Sequence, residues 1–110
     1  MRSRLEARVA AHLDLVGAVP WVYEPRAFAN ERGQYLPDFY LPPTDDFADP
    51  IYIEVRPNRD GADVAKGQME IILDSEPGAW LSVIDAEDSR MFLRPPWSSA
   101  WSESEWEWAN

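Results

Sequence analysis

Two short alternating runs constrain this chain more than any other feature: Tyr35-Leu36-Pro37-Asp38-Phe39-Tyr40-Leu41 and Ile51-Tyr52-Ile53-Glu54-Val55-Arg56. Both are rich in aromatic and β-branched residues, and each is stopped by proline, at Pro42-Pro43 and at Pro57. The acidic, turn-like stretch 44–50 between them is short, so an antiparallel hairpin is the economical arrangement. Successive side chains of a strand point to opposite faces, so Asp38 goes with Tyr40, and Glu54 with Tyr52 and Arg56. Pairing the two strands therefore brings the carboxylates of Asp38 and Glu54 together, on the side away from the apolar core, with Arg56 beside them.

The rest of the chain supplies layers for this hairpin. Leu5, Val9, Leu13 and Val16 recur at helical spacing, which predicts a helix over 3–16 closed by Gly17. A strand over 21–24 is stopped by Pro25, and 26–34, with Asn30 and Gly33, reads as a polar loop. Val64, Gln68, Ile71 and Ile72 predict a second helix over 60–74, weakened by Gly67. Strands over 79–84 and 91–93 flank the acidic turn Asp85-Ala86-Glu87-Asp88, and Pro95-Pro96 closes the series. The order α, β, β, β, α, β, β places a mixed central sheet under flanking helices, an α/β fold. A domain over 1–96 is then followed by an acidic, Trp-rich tail over 97–110.

Length allows one core and one site, since 110 residues is the size of a single domain. The chain has no cysteine, which excludes a disulfide framework, a thiolate zinc site and a cysteine nucleophile, and points to the cytoplasm. Charge enters at Arg2, Arg4 and Glu6, before any apolar run long enough for a signal peptide or a membrane span, so a soluble protein is expected. Net charge is −10, and removing the tail with Glu103, Glu105 and Glu107 leaves −7. A protein that grips nucleic acid usually carries a basic patch, so any such patch here is small.

Two carboxylates held close at a strand end repel each other unless a cation intervenes, and hard oxygen ligands suit magnesium or manganese. Such a metal can lower the pKa of bound water and stabilise charge on a phosphate, the two needs of phosphodiester hydrolysis.

The ordered set Ser3 to Glu6, Tyr23-Glu24-Pro25, Tyr35-Leu36-Pro37-Asp38-Phe39 and Tyr52-Ile53-Glu54-Val55-Arg56-Pro57 resembles the PD-(D/E)XK, restriction-endonuclease-like nuclease superfamily. Within it the chain looks most like small phage nucleases and transposon end-cleaving subunits, over roughly 2–93. The resemblance implies an αβββαβ core and a metal-dependent DNA endonuclease. It also implies that Asp38 and Glu54 bind Mg2+ or Mn2+ and that Glu6 can complete the metal site. Arg56 stands where the family carries a lysine that positions or activates water. A guanidinium stays charged and cannot serve as a general base, but it can clamp a phosphate through paired hydrogen bonds.

Each residue also has a plainer explanation. Ser3 with Glu6 matches a helix capping box, and Glu54 with Arg56 an ordinary ion pair on one face. Glu24 is either a further acid of the site or an exposed strand glutamate. His12 lies on the apolar stripe, which favours packing over catalysis; Gln68 either approaches the site or is a helix-edge glutamine, the plainer reading; Arg2, Arg4 and Arg8 either meet a DNA backbone or form a solvated face, the commoner case in an acidic protein. Trp97, Trp101 and Trp108 either cover the core or belong to an acidic arm.

Two functions follow. One is a phage-type endonuclease selective for DNA junctions, ends or nicks, working with a protein partner or as a homodimer because one small acidic domain has a small footprint. The other is a nuclease-like protein that no longer cuts and, through its charge, mimics DNA or docks on a basic partner.

Overall fold

The computed structural model describes residues 4–16 and 20–108. The chain runs α1 (Arg4–Val16), β1 (Val22–Tyr23), β2 (Phe28–Asn30), β3 (Gly33–Tyr35), β4 (Phe39–Leu41) and β5 (Ile51–Arg56). It continues through α2 (Arg59–Met69), α3 (Ile72–Ser75), β6 (Trp80–Asp85), β7 (Arg90–Arg94) and β8 (Ser102–Glu105). Six strands form one sheet in the order β1-β4-β5-β6-β7-β8, and β2 and β3 form a separate hairpin. The expected β4–β5 hairpin is present, with Phe39 opposite Ile53 and Leu41 opposite Ile51. β6 runs parallel to β5 after the α2–α3 crossover, while the other pairings of this sheet are antiparallel, so the sheet is mixed.

Alternation along β5 and β6 gives the sheet two buried faces. Val9, Ala10 and Leu13 of α1 pack on Phe39, Leu41, Ile53, Val55 and Ile84. Ala62, Ala65 and Met69 of α2, with Ile72 of α3, cover Tyr52, Leu81, Val83 and Phe92 on the other face. Glu54 therefore does not lie on a side away from the apolar core. It shares the α2 face with Tyr52 and is itself only 5% exposed.

Several elements differ from expectation. The run 35–41 is two pieces: Tyr35 ends β3, which pairs with β2, and Asp38 sits in a bend before β4. Pro37 lacks the N–H that an uninterrupted ladder needs. The expected loop 26–34 holds that β2–β3 hairpin, where Gly33 adopts φ 131°, a conformation open to glycine. The second helix divides into α2 and α3, and Val64 is exposed because the close approach to the sheet is made by Ala62, Ala65 and Met69. Beyond Pro96 the chain adds β8 to the sheet edge beside β7, and Trp106 and Trp108 pack on the α1-side core. Ser3, Gly17, Arg2 and the side chain of Val16 lie outside the described residues. No helix among the described residues is long and apolar enough to cross a membrane.

Candidate active site

The site forms where the β4–β5 ladder stops. Continued past Phe39, the register would set Pro37 opposite Val55, and the backbone there has no donor to offer. The ladder ends there, and the Val55 N–H is taken by the Asp38 side chain instead, whose Oδ2 accepts it at 2.9 Å. The Asp38 N–H points back to Oε1 of Glu54 at 3.3 Å, and its carbonyl accepts the N–H of Glu24 at 2.8 Å. Asp38 is thus fixed through its side chain and both backbone polar groups. Glu24, an exposed residue at φ 46°, contributes through this backbone bond, and its carboxylate meets the Tyr23 phenol.

Glu54 is held on both oxygens. Oε1 accepts the phenol O–H of the buried Tyr35, and Oε2 lies 2.6 Å from a terminal nitrogen of Arg56. The same Arg56 nitrogen donates to Oε1 of Gln68 on α2 at 3.0 Å, while Arg56 Nε is buried with no hydrogen-bond partner among the described residues. Pro57 ends β5, and the Asn58 side chain caps α2 by accepting the Gly61 N–H at 2.9 Å. This turn brings α2 against Arg56. A Cβ on Gly61 would sit 3.3 Å from the Arg56 Cβ, a tight contact that glycine avoids.

A cavity of about 450 Å³ opens over this arrangement, lined by Leu5 and Glu6 of α1, by Asp38, and by Glu54, Val55, Arg56 and Pro57. Glu6 Oε2 accepts the Tyr23 O–H at 2.7 Å. The structure therefore gathers Asp38, Glu54 and Arg56 directly and places Glu6 on the α1 side of the same cavity. No three His, Asp or Glu side chains among the described residues are grouped closely enough to enclose a metal. His12 faces elsewhere, its ring 4.4 Å from that of Trp106, and burial lowers its pKa.

The electrostatics follow from burial. Loss of water, and after it the charge of Glu54, push the Asp38 carboxyl well above the ordinary carboxylate range, against the opposing Val55 N–H. Burial raises Glu54 as well, and the Tyr35 hydrogen bond and Arg56 oppose it. One arginine leaves this carboxylate pair under-compensated. The donors are all hard oxygens, and Oδ1 of Asp38 accepts no hydrogen bond among the described residues, so the set fits a hard divalent cation.

Two contacts escaped the sequence reading. Tyr35 was visible as part of the Tyr-Leu-Pro-Asp run, but its bond to Glu54 depends on β3 leaving the main sheet. Gln68 reads in sequence more as a helix-edge residue than as one approaching the site; it is exposed, yet its amide oxygen reaches Arg56 across the β5–α2 turn.

The mixed sheet, the α1 and α2 layers and the acids beside the end of β5 make a mixed α/β fold with a paired-carboxylate centre. The crystal structure of a protein from Anabaena variabilis ATCC 29413, a proposed nuclease belonging to DUF820, shares this fold. It matches 96% of this chain and 69% of its own at a TM-score of 0.60 and 12% identity. No family model and no curated protein matches the sequence.

Proposed function

We propose that this chain is a DNA nuclease that hydrolyses phosphodiester bonds with Mg2+ or Mn2+ held by Asp38 and Glu54. The observation that carries the reading is the under-compensated pair of half-buried Asp38 and buried Glu54 beside a guanidinium in one open cavity. The fold it shares with a proposed nuclease supports the same reading. A bound divalent ion would supply an activated water and charge stabilisation at the phosphate. The chain's own groups do the rest. Tyr35 and Arg56 fix the Glu54 carboxylate, and the Val55 N–H fixes that of Asp38. Arg56, steadied by Gln68, presents permanent positive charge to a phosphate oxygen and takes no proton. Glu6 lies within the cavity as a further acid for the metal or its water. The substrates we expect are branched, nicked or terminal DNA, as in the phage nucleases the motifs resemble. A partner or a second copy would extend the small footprint.

The 2.6 Å ion pair between Arg56 and Glu54 favours a second reading, in which arginine occupies a metal ligand and the protein binds without cutting. Incubating the purified protein with supercoiled, linear and branched DNA, with magnesium or manganese, decides between them. Metal-dependent products that disappear in Asp38→Asn are expected. Intact DNA on all substrates with both metals would refute the nuclease reading.

A further inference from the structure

The basic side chains of this acidic protein are mostly paired. Arg26, Arg32, Arg56, Arg59, Lys66 and Arg90 each lie within ion-pair distance of a carboxylate. Arg94 lies at the end of the sheet away from Arg56 and is half-buried. Among the described residues that leaves Arg4 and Arg8, which form no ion pair there and are both exposed. Four residues apart on α1, they lie on one helix face. Both line a second cavity, of about 550 Å³, which shares Leu5 and Pro57 with the site cavity. Among the described residues Glu87 is the one acidic side chain lining it. The Arg8 guanidinium lies 4.0 Å from the centre of the Trp108 ring, a stack that orients it while leaving its edge donors available.

An unpaired cation in a chain of net charge −10 has no shortage of carboxylates to pair with. Two of them on one face, in a groove that shares Leu5 and Pro57 with the site cavity, make a positive patch that an anionic chain leaving the site would meet. We propose that Arg4 and Arg8 form a phosphate-docking groove for the DNA backbone flanking the phosphodiester held at Asp38 and Glu54. The assignment rests on the nuclease reading for which strand it holds. Phosphate contacts fix register and supply affinity without reading sequence, so the groove serves position and not base choice.

The test is binding without cleavage. Anisotropy of a fluorescein-labelled DNA duplex is titrated with the full chain, calcium replacing magnesium, across a range of potassium chloride concentrations. For Arg4→Gln/Arg8→Gln the slope of log affinity against log salt should be shallower than wild type by about 2, one for each lost phosphate contact. The loss should be equal for two duplexes of unrelated sequence. Arg8→Lys, which keeps the charge and gives up the stack, should retain the wild-type slope, separating lost charge from lost packing. An unchanged slope in the double variant, or a wild type that does not bind duplex, overturns the groove. Cleavage is no part of this readout. A protein that binds with an arginine-dependent slope and never cuts would sink the nuclease reading alone, and one that cuts with an unchanged slope would sink the groove alone.

Discussion

Asp38 carries two demands at once, ladder closure through its Oδ2 and negative charge beside Glu54. Substituting asparagine separates them, because the amide oxygen can still accept the Val55 N–H while the charge is gone. Asp38→Asn should therefore raise the melting temperature of the metal-free protein and flatten its response to added metal. For the wild type, metal at about 100 times its dissociation constant should add roughly 2.7 kcal/mol, several degrees in a domain this size. A wild type indifferent to both magnesium and manganese, with Asp38→Asn no more stable, would show that the acids are not coupled. The pH dependence has a fixed sign. A carboxyl raised in the folded state binds its proton more tightly there than in the unfolded chain. Its stabilising contribution is thus complete below the ordinary carboxylate pKa and is lost as pH rises through the elevated one. Metal-free wild type should melt higher at mildly acidic than at mildly alkaline pH, and Asp38→Asn should lose much of that difference. Arg56 poses the other question at this scale. Arg56→Lys should keep the fold and leave cleavage equal or raised, since lysine can both pair with Glu54 and give up a proton. Loss of cleavage in that variant, measured against an active wild type, would assign the guanidinium a role of its own.

Among the elements, the β4–β5 hairpin and both acids are legible in the sequence because their signals are local: two-residue alternation, proline stops and a short connection. The β2–β3 hairpin is not. Its strands are only three residues each, its turn depends on Gly33 at φ 131°, and the run 35–41 looks continuous until the missing N–H of Pro37 is taken into account. Val64 misleads for a different reason, since spacing marks a stripe without saying how closely the helix approaches. Ala62 and Ala65 decide that. The β2–β3 hairpin also delivers Tyr35, 7% exposed, to the Glu54 carboxylate. Tyr35→Phe keeps the ring and removes the donor, leaving a buried carboxylate oxygen with one long backbone contact at 3.3 Å. The expected loss is about 1–3 kcal/mol of unfolding free energy, read from urea titration at an unchanged slope. A variant as stable as wild type would mean that water replaces the phenol at Glu54.

For the whole molecule, the segment beyond Pro96 decides how the charge is carried. Read as sequence, it offers a free acidic arm or a cover for the core, because Trp97, Trp101 and Trp108 fall at helical spacings while Glu103, Glu105 and Glu107 alternate with Ser104 and Trp106. In three dimensions β8 pairs with β7, with Glu103 opposite Phe92 and Ser102 opposite Leu93. Glu103 is bound by Arg90 at 2.9 Å and Arg59 at 3.0 Å, and the Arg90 bond first of all lowers its pKa. Arg59 also reaches the fully buried Asp85, so β8 is tied through this pair to the start of α2 and the end of β6. Trp106 and Trp108 pack edge to face over His12, and Trp101 packs on the α2-side core. Deleting 98–110 would uncover both cores at one edge, leave β7 as an unpaired edge strand and strip Arg90 of its acid. The deletion should lower the melting temperature sharply or abolish cooperative unfolding. Glu105→Gln/Glu107→Gln removes charge from two exposed residues and no packing, so its melting temperature should stay at the wild-type value. Calorimetry on the two proteins settles the matter. A deletion that melts like wild type would return the segment to a detached acidic arm, whereas destabilisation by the charge change alone would locate its contribution in electrostatics and not in the tryptophans.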